Sequence, residues 1–202
     1  MQVIAQIVQH LKPGGIEKLA IDMMKHKQQG TEVFVIAIEG DKEACLSHWP
    51  ELIALQSQLI FINKPAGFNL KIIWQLRQLL KKLQVTCIHT HHIGPLIYGG
   101  LATLALTKIK HIHTEHDAWH LNEKKDRYIQ KLILFLSKPT LVADADFVKK
   151  ALNTVFQSYP IYTIKNGIDP YKFNIGNKIE ARKALGVYLP SNAIVVGNAA
   201  RL

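Results

Sequence analysis

Short apolar runs alternate with longer stretches of helical spacing along almost the whole chain, and few folds accept that pattern. Val3–Val8 is brief, apolar and β-branched, the composition of a strand buried on both faces. Lys12-Pro13-Gly14-Gly15 breaks it, and Ile16, Leu19, Ala20 and Met23 then follow helical spacing up to Gly30. Further strands are predicted at Glu32–Ile38, Leu59–Ile62, Val85–His89, Ile109–Thr114, Thr140–Ala143 and Ile161–Ile164. Helices are predicted from the cap Asn69 to Leu83 and over Gly94–Leu106, Asp126–Leu136 and Asp146–Leu152. In the first of these, Ile73, Leu76, Leu80 and Leu83 form an apolar stripe that Trp74 is expected to join as a core residue, with Lys71, Gln78, Lys81 and Lys82 off it. The small residues of Gly94–Leu106 predict close packing on a sheet. The class is therefore α/β: a Rossmann-like, doubly wound parallel sheet of six or seven strands.

The pattern changes after Lys165. Asn166-Gly167 is a turn signal, Pro170–Asn177 reads as a connector, and Glu180–Leu185 is a short helix ended by Gly186. Ala193–Val196 is a fresh apolar strand followed by Gly197-Asn198-Ala199-Ala200. The expected organisation is a Rossmann-like domain over 1–169, an interdomain connector over 170–192, and over 193–202 the first strand of a further domain that continues past Leu202.

Apolar residues at 48% and charged residues at 20% suit a chain that buries a core and argue against disorder. Twenty-five Lys and Arg against 15 Asp and Glu leave a formal charge of +10, which attracts phosphorylated ligands, nucleic acid or acidic lipid without choosing among them. Cys45 and Cys87 are too few for a disulfide scaffold, which suits a reducing cytosol. The N-terminus lacks the basic region and cleavage site of a signal peptide, and no apolar run approaches the roughly 18 residues of a membrane span. A cytoplasmic location is expected.

Ligands of open α/β sheets bind outside the carboxyl ends of the strands, so the residues after each strand are the ones to inspect. Gly14 and Gly15 follow the first strand and open a helix, where backbone N–H groups can approach a phosphate. The full G-x-G-x-x-G pattern is absent, and Glu39 is the nearest acidic residue to where a dinucleotide site needs one. Six of the ten histidines, His89, His91, His92, His111, His113 and His116, lie at or near two adjacent strand ends. Three readings stay open. Histidine and aspartate from the neighbouring strands could hold a metal. His89 and His113 could be core residues inside strands. His91 and His116, beyond the strand ends, could face a polar cleft and exchange protons there. Asp144-Ala145-Asp146 is a literal D-x-D, a pattern able to hold a metal on a diphosphate but common by chance.

Taken together, Gly14-Gly15-Ile16-Glu17, Gln29–Val33, Ile88-His89-Thr90-His91, Thr114-Glu115-His116-Asp117, Ile164–Asp169 with Phe173, and Val195–Leu202 resemble the N-terminal domain of retaining GT-B glycosyltransferases of family 4. The resemblance spans nearly the whole chain and ends as a donor-binding domain would begin. It implies transfer of a sugar from a nucleotide-sugar donor to a glycan or lipid-linked acceptor, in cell-surface polysaccharide or lipopolysaccharide synthesis. It implies no cofactor, no required metal and no nucleic-acid partner. By the same resemblance His116 is the catalytic residue. Gly14, Gly15 and Arg201 meet the donor phosphates, and Glu17, His91 and Asp117 meet the acceptor. Asp144 departs from the serine common in the family after that strand. The basic helices Lys71–Lys82 and Lys124–Lys138 suggest an anionic membrane surface as a further partner, the protein resting on the inner membrane face.

Overall fold

The computed structural model describes residues 2–171, 173, 175–190 and 192–198. They form two compact units, Met1–Asn166 and Gly167–Leu202.

The first unit is a seven-stranded, wholly parallel sheet in the order β3-β2-β1-β4-β5-β6-β7. The strands are β1 (Gln2–Val8), β2 (Thr31–Ala37), β3 (Leu59–Phe61), β4 (Cys87–His91), β5 (Lys110–Glu115), β6 (Thr140–Ala143) and β7 (Ile161–Thr163). Between them run α1 (Gly15–Lys25), α2 (Lys42–His48), α3 (Leu70–Lys82), α4 (Ile93–Thr103), α5 (Lys124–Ser137) and α6 (Asp146–Val155). Two features had no clear signal in the sequence: the short helix α2, capped by Asp41, and the 3-10 turns Pro50–Leu55 and Trp119–Asn122. β4 starts two residues later than its apolar run suggests. Gln84 turns the chain with φ +53°, and pairing with β1 begins only at Ile4 opposite Cys87.

Alternation along β1 sends its side chains to two cores. Val3, Ala5 and Ile7 pack with Ile72, Leu76 and Leu80 of α3 and Tyr98 and Ala102 of α4. Ile4 and Val8 pack on the other face with Ala20, Ile21 and Met24 of α1. Trp74 does not join the core stripe of α3. Ile72, Leu76 and Leu80 are the buried residues, and Trp74 falls on the outer face at 63% exposure.

Helix α4 lies close to the sheet, as its small residues imply. A Cβ at Gly99 would stand 2.8 Å from Thr90 Cγ2 and 3.2 Å from Ile88 Cδ1. Gly99→Leu should therefore overpack this contact and destabilise the unit by about 1–3 kcal/mol. A chemical-denaturation midpoint would measure it, and an unchanged midpoint would show that α4 can lift away freely.

In the second unit, α7 (Lys178–Ala184) is capped by Asn177, whose side chain accepts from the amides of Ile179 and Glu180. The Arg182 guanidinium donates to the carbonyls of Pro190 and Ala193. The strand expected at Ala193–Val196 does not form. Residues 193–198 join no ladder, since the described residues of this unit contain no strand to pair with.

Candidate functional site

The strand order reverses between β1 and β4: the chain works outward from β1 to β3, then returns to lay β4 on the other side of β1. Such a switch point opens a crevice at the carboxyl ends of the two strands. In a parallel sheet Gly14, which follows β1, and His116, which follows β5, stand at that same edge.

Gly14 caps α1 in an extended conformation, and Gly15 is its first residue. The first helical bond is from Lys18 N–H to Gly14 C=O, so the amides of Gly15, Ile16 and Glu17 are not used within the helix. A Cβ at Gly15 would meet nothing within 4 Å, whereas one at Gly14 would collide with Glu17 Oε2. Glu17 is itself buried, with Oε1 3.3 Å from His10 Nδ1. Glu17, expected to meet the acceptor, thus sits buried with its carboxylate against Gly14 at the start of α1.

Two polar networks flank β4 and β5. On the α4 side, Thr90 Oγ1 lies 2.9 Å from both His111 Nε2 and His113 Nδ1. His113 Nε2 donates to Glu115 Oε1 at 2.8 Å, and Gln130 Nε2 of α5 donates to the same oxygen at 2.5 Å. Burial raises the Glu115 carboxyl. The charge and hydrogen bond of His113, with help from His120 and Gln130, outweigh that and hold it below the ordinary carboxylate value.

On the other side, His91 Nε2 lies 2.9 Å from Gln6 Oε1, and His91 Nδ1 lies 3.0 Å from His116 Nε2. His116 Nδ1 donates to Asp144 Oδ2 at 3.1 Å, and Asn166 Nδ2 donates to the same oxygen at 3.0 Å. His89 Nε2 sits 2.7 Å from Thr114 Oγ1. Burial, then the charges of His113 and His116, push the His89 imidazole down to about 3. Burial, then the charges of His113 and His89, do the same for His111, also to about 3. His91 falls well below the usual value for the same first reason.

His89 and His113 are core residues, as one reading had it. His91 is not beyond the strand but is its last residue. Its ring has no exposed surface, and its two nitrogens lie against Gln6 and His116. His116 sits over it with a side chain 8% exposed. Asp117, at 42%, is an open acidic group of this edge. His92 begins α4 with φ +69°, a left-handed conformation unusual for a residue with a side chain. Burial and His116 lower its imidazole, partly offset by Glu17, Asp117 and Glu115.

Gln6, Asn166 and the partnership of Asp144 with His116 were not anticipated from the sequence. Gln6 left one trace, a polar residue inside an otherwise apolar strand. The two carboxylates of the D-x-D are committed separately, Asp144 to His116 and Asp146 to Lys165 at 3.1 Å. Among the described residues no three His, Cys, Asp or Glu side chains converge as a metal would need. Arg201 lies outside the described residues.

Residues 13–172 match the family model for Glycosyltransferase Family 4. No curated protein matches the chain in sequence. Among solved structures, a glycosyltransferase from Rickettsia africae superposes with a TM-score of 0.68 at 22% identity, over 95% of this chain and 50% of the other. Anabaena Alr3699/HepE, solved in complex with UDP, gives 0.69 at 17% identity over 92% and 50%. Sucrose-phosphate synthase from Thermosynechococcus elongatus gives 0.61 at 16% over 95% and 54%. The chain thus spans about half the length of the solved structures it matches. It belongs to glycosyltransferase family 4, and its first unit has the Rossmann-like fold of a GT-B N-terminal domain.

Proposed function

We propose that this chain is the acceptor-side half of a retaining glycosyltransferase that moves a sugar from a nucleotide-sugar donor to a glycan or lipid-linked acceptor, in cytoplasmic synthesis of a cell-surface polysaccharide or lipopolysaccharide. The observation that carries the reading is the meeting of an open glycine loop and a histidine cluster at the switch point of the sheet. Alr3699/HepE shares the fold and was solved with UDP. Residues 193–202 begin the donor-binding half, and Arg201 contributes there to binding of the diphosphate. Gly14 and Gly15 turn unused amides toward the departing diphosphate, where preorganised N–H dipoles stabilise the charge that develops. His116, pinned between Asp144 and His91, is the polar group of the reaction centre. Asp117 meets acceptor hydroxyls at the open rim.

Gly15 offers a clean test, since a side chain there enters empty space and not the protein. In the full-length enzyme Gly15→Val should leave the melting temperature unchanged and weaken donor binding at least tenfold, read by calorimetry with UDP-sugars. Full donor affinity in that variant would remove the glycine loop from the site.

The membrane partner rests on exposed apolar groups set among cations. Tyr128, Leu132 and Phe135 follow one another at helical spacing on the outer face of α5, beside Lys124, Lys125 and Lys131. Leu70 and Trp74 do the same on α3 beside Lys71. Among the described residues no helix is long and apolar enough to cross a membrane, so contact would be with the surface. Each near-surface Lys or Arg adds about 1 kcal/mol on anionic lipid, and salt weakens it. Co-sedimentation should show binding to vesicles containing phosphatidylglycerol and little to pure phosphatidylcholine. Equal binding to both would count against this face.

A further inference from the structure

We propose that Asp144 is a positioning residue for His116: it fixes which ring nitrogen carries the proton and so how the imidazole stands at the sheet edge. Its role in transfer rests on the glycosyltransferase reading, whereas its effect on the ring does not.

The register of the sheet makes the pair. Ala143 of β6 lies opposite Glu115 of β5, so the next residue on each strand, Asp144 and His116, emerges side by side at the carboxyl edge. The Asp144 amide donates to the Glu115 carbonyl at 3.2 Å and extends the ladder by one rung. From there the Asp144 carboxylate reaches His116 Nδ1 at 3.1 Å with only 13% of its side chain exposed. Asn166, just past β7, donates to the same carboxylate oxygen and keeps it turned toward the ring. A carboxylate can only accept, so His116 must hold its proton on Nδ1. His116 Nε2 then accepts from Nδ1–H of the fully buried His91, which requires the Gln6 carboxamide to present its N–H to His91 Nε2. Gln6 of β1 and His91 of β4, with Asp144 just past β6 and Asn166 past β7, thus hold one imidazole.

The other groups facing this ring are imidazoles. They are His89 and His91 of β4, with His92 at the start of α4, whose ring centroid is 6.4 Å away. Asp117 and Glu115 adjoin His116 on its own segment, but neither bonds its ring nitrogens: Asp117 accepts from the Trp119 amide, and Glu115 is turned to the opposite side of the sheet. Asp144 is therefore the group that selects the tautomer. Without it the ring can rotate and exchange its two nitrogens, and the contact with His91 is no longer fixed. Such a residue should govern turnover more than donor affinity.

The test has two readouts. Long-range proton–nitrogen NMR of the 202-residue chain reports where the His116 proton sits. Nδ1–H is expected in the native protein and in Asp144→Asn, whose amide oxygen still accepts. In Asp144→Ala a substantial population of the Nε2–H form is expected. In the full-length enzyme Asp144→Ala should lower kcat at least tenfold while KM for the nucleotide sugar stays within threefold, and Asp144→Asn should restore most of the loss. A bare Nδ1 in the native chain, an unmoved tautomer in Asp144→Ala, or an unchanged kcat in that variant would each overturn the assignment. If the NMR pattern holds and the full-length protein transfers no sugar, the positioning of His116 is supported and the transferase reading fails.

Discussion

Lowering the pH from 7 to 5 should remove about 4 kcal/mol of stability from this protein, through His89 and His111 alone. Both imidazoles are buried and neutral when folded and titrate at about 3 there, against an ordinary value of 6.5 in the unfolded chain. Below 6.5 the unfolded state therefore binds two more protons than the native state. Their contribution is complete above 6.5 and falls until the folded value is reached near 3. The slope is about 1.4 kcal/mol per pH unit for each histidine. Native domains hold only about 5–15 kcal/mol, so the urea midpoint should drop steeply below pH 6.5. His111 provides the control. Its Nδ1 has no hydrogen-bond partner, and Thr90 also lies against His113 and the Ile112 carbonyl. His111→Leu should then halve the slope at little cost near neutrality. A urea midpoint that stays level from pH 7 to pH 5 would refute the account.

Removing the Glu115 carboxylate should cost a comparable amount at pH 7. Its Oε1 gathers the donors of His113 and Gln130 in a space closed to solvent, linking β5 to α5. Hydrogen bonds to a buried charged group are worth about 1.5–3 kcal/mol each, so losing both should cost about 3–5 kcal/mol. Glu115→Ala should show a loss of that size in denaturant unfolding. Glu115→Gln, which retains an acceptor oxygen, should lose less. The carboxyl also adds to the acid lability with the same sign. Its folded value is below the ordinary one, so its contribution is present above the ordinary carboxylate range and is lost as pH falls through the folded value. A loss below about 1 kcal/mol in Glu115→Ala would show that water enters and replaces the carboxylate.

The acid prediction could not have been made from the histidine count. His-Thr-His-His and His-Ile-His-Thr-Glu-His show that two strand ends are rich in imidazole, and β alternation shows that neighbouring residues face opposite ways. Which face is dry and which opens on the cleft depends on what covers each. Thr90 is fully buried beneath Gly99 of α4, while His91 on the other face is closed over by Gln6 and His116. Trp74 fails for a related reason. It lies two residues from both Ile72 and Leu76, about 200° round the helix from the true stripe, and a helix face is decided by the angle at which the helix meets its neighbours. Helix α2 has little apolar pattern of its own and owes its place to Cys45 packed beneath it.

By itself the sequence determined the kind and order of the seven strands and of their connecting helices other than α2, because periods of 2 and 3.6 are local properties that neighbouring residues impose on one another. It also determined the glycine break after β1, since its residues adjoin along the chain. Only the tertiary structure decided that Gln6, His91, His116, Asp144 and Asn166 form one hydrogen-bonded chain. These residues are separated by as many as 160 positions, and what joins them is the register of β1, β4, β5, β6 and β7. Register is set by how whole strands bury their apolar faces, and no single segment carries that information.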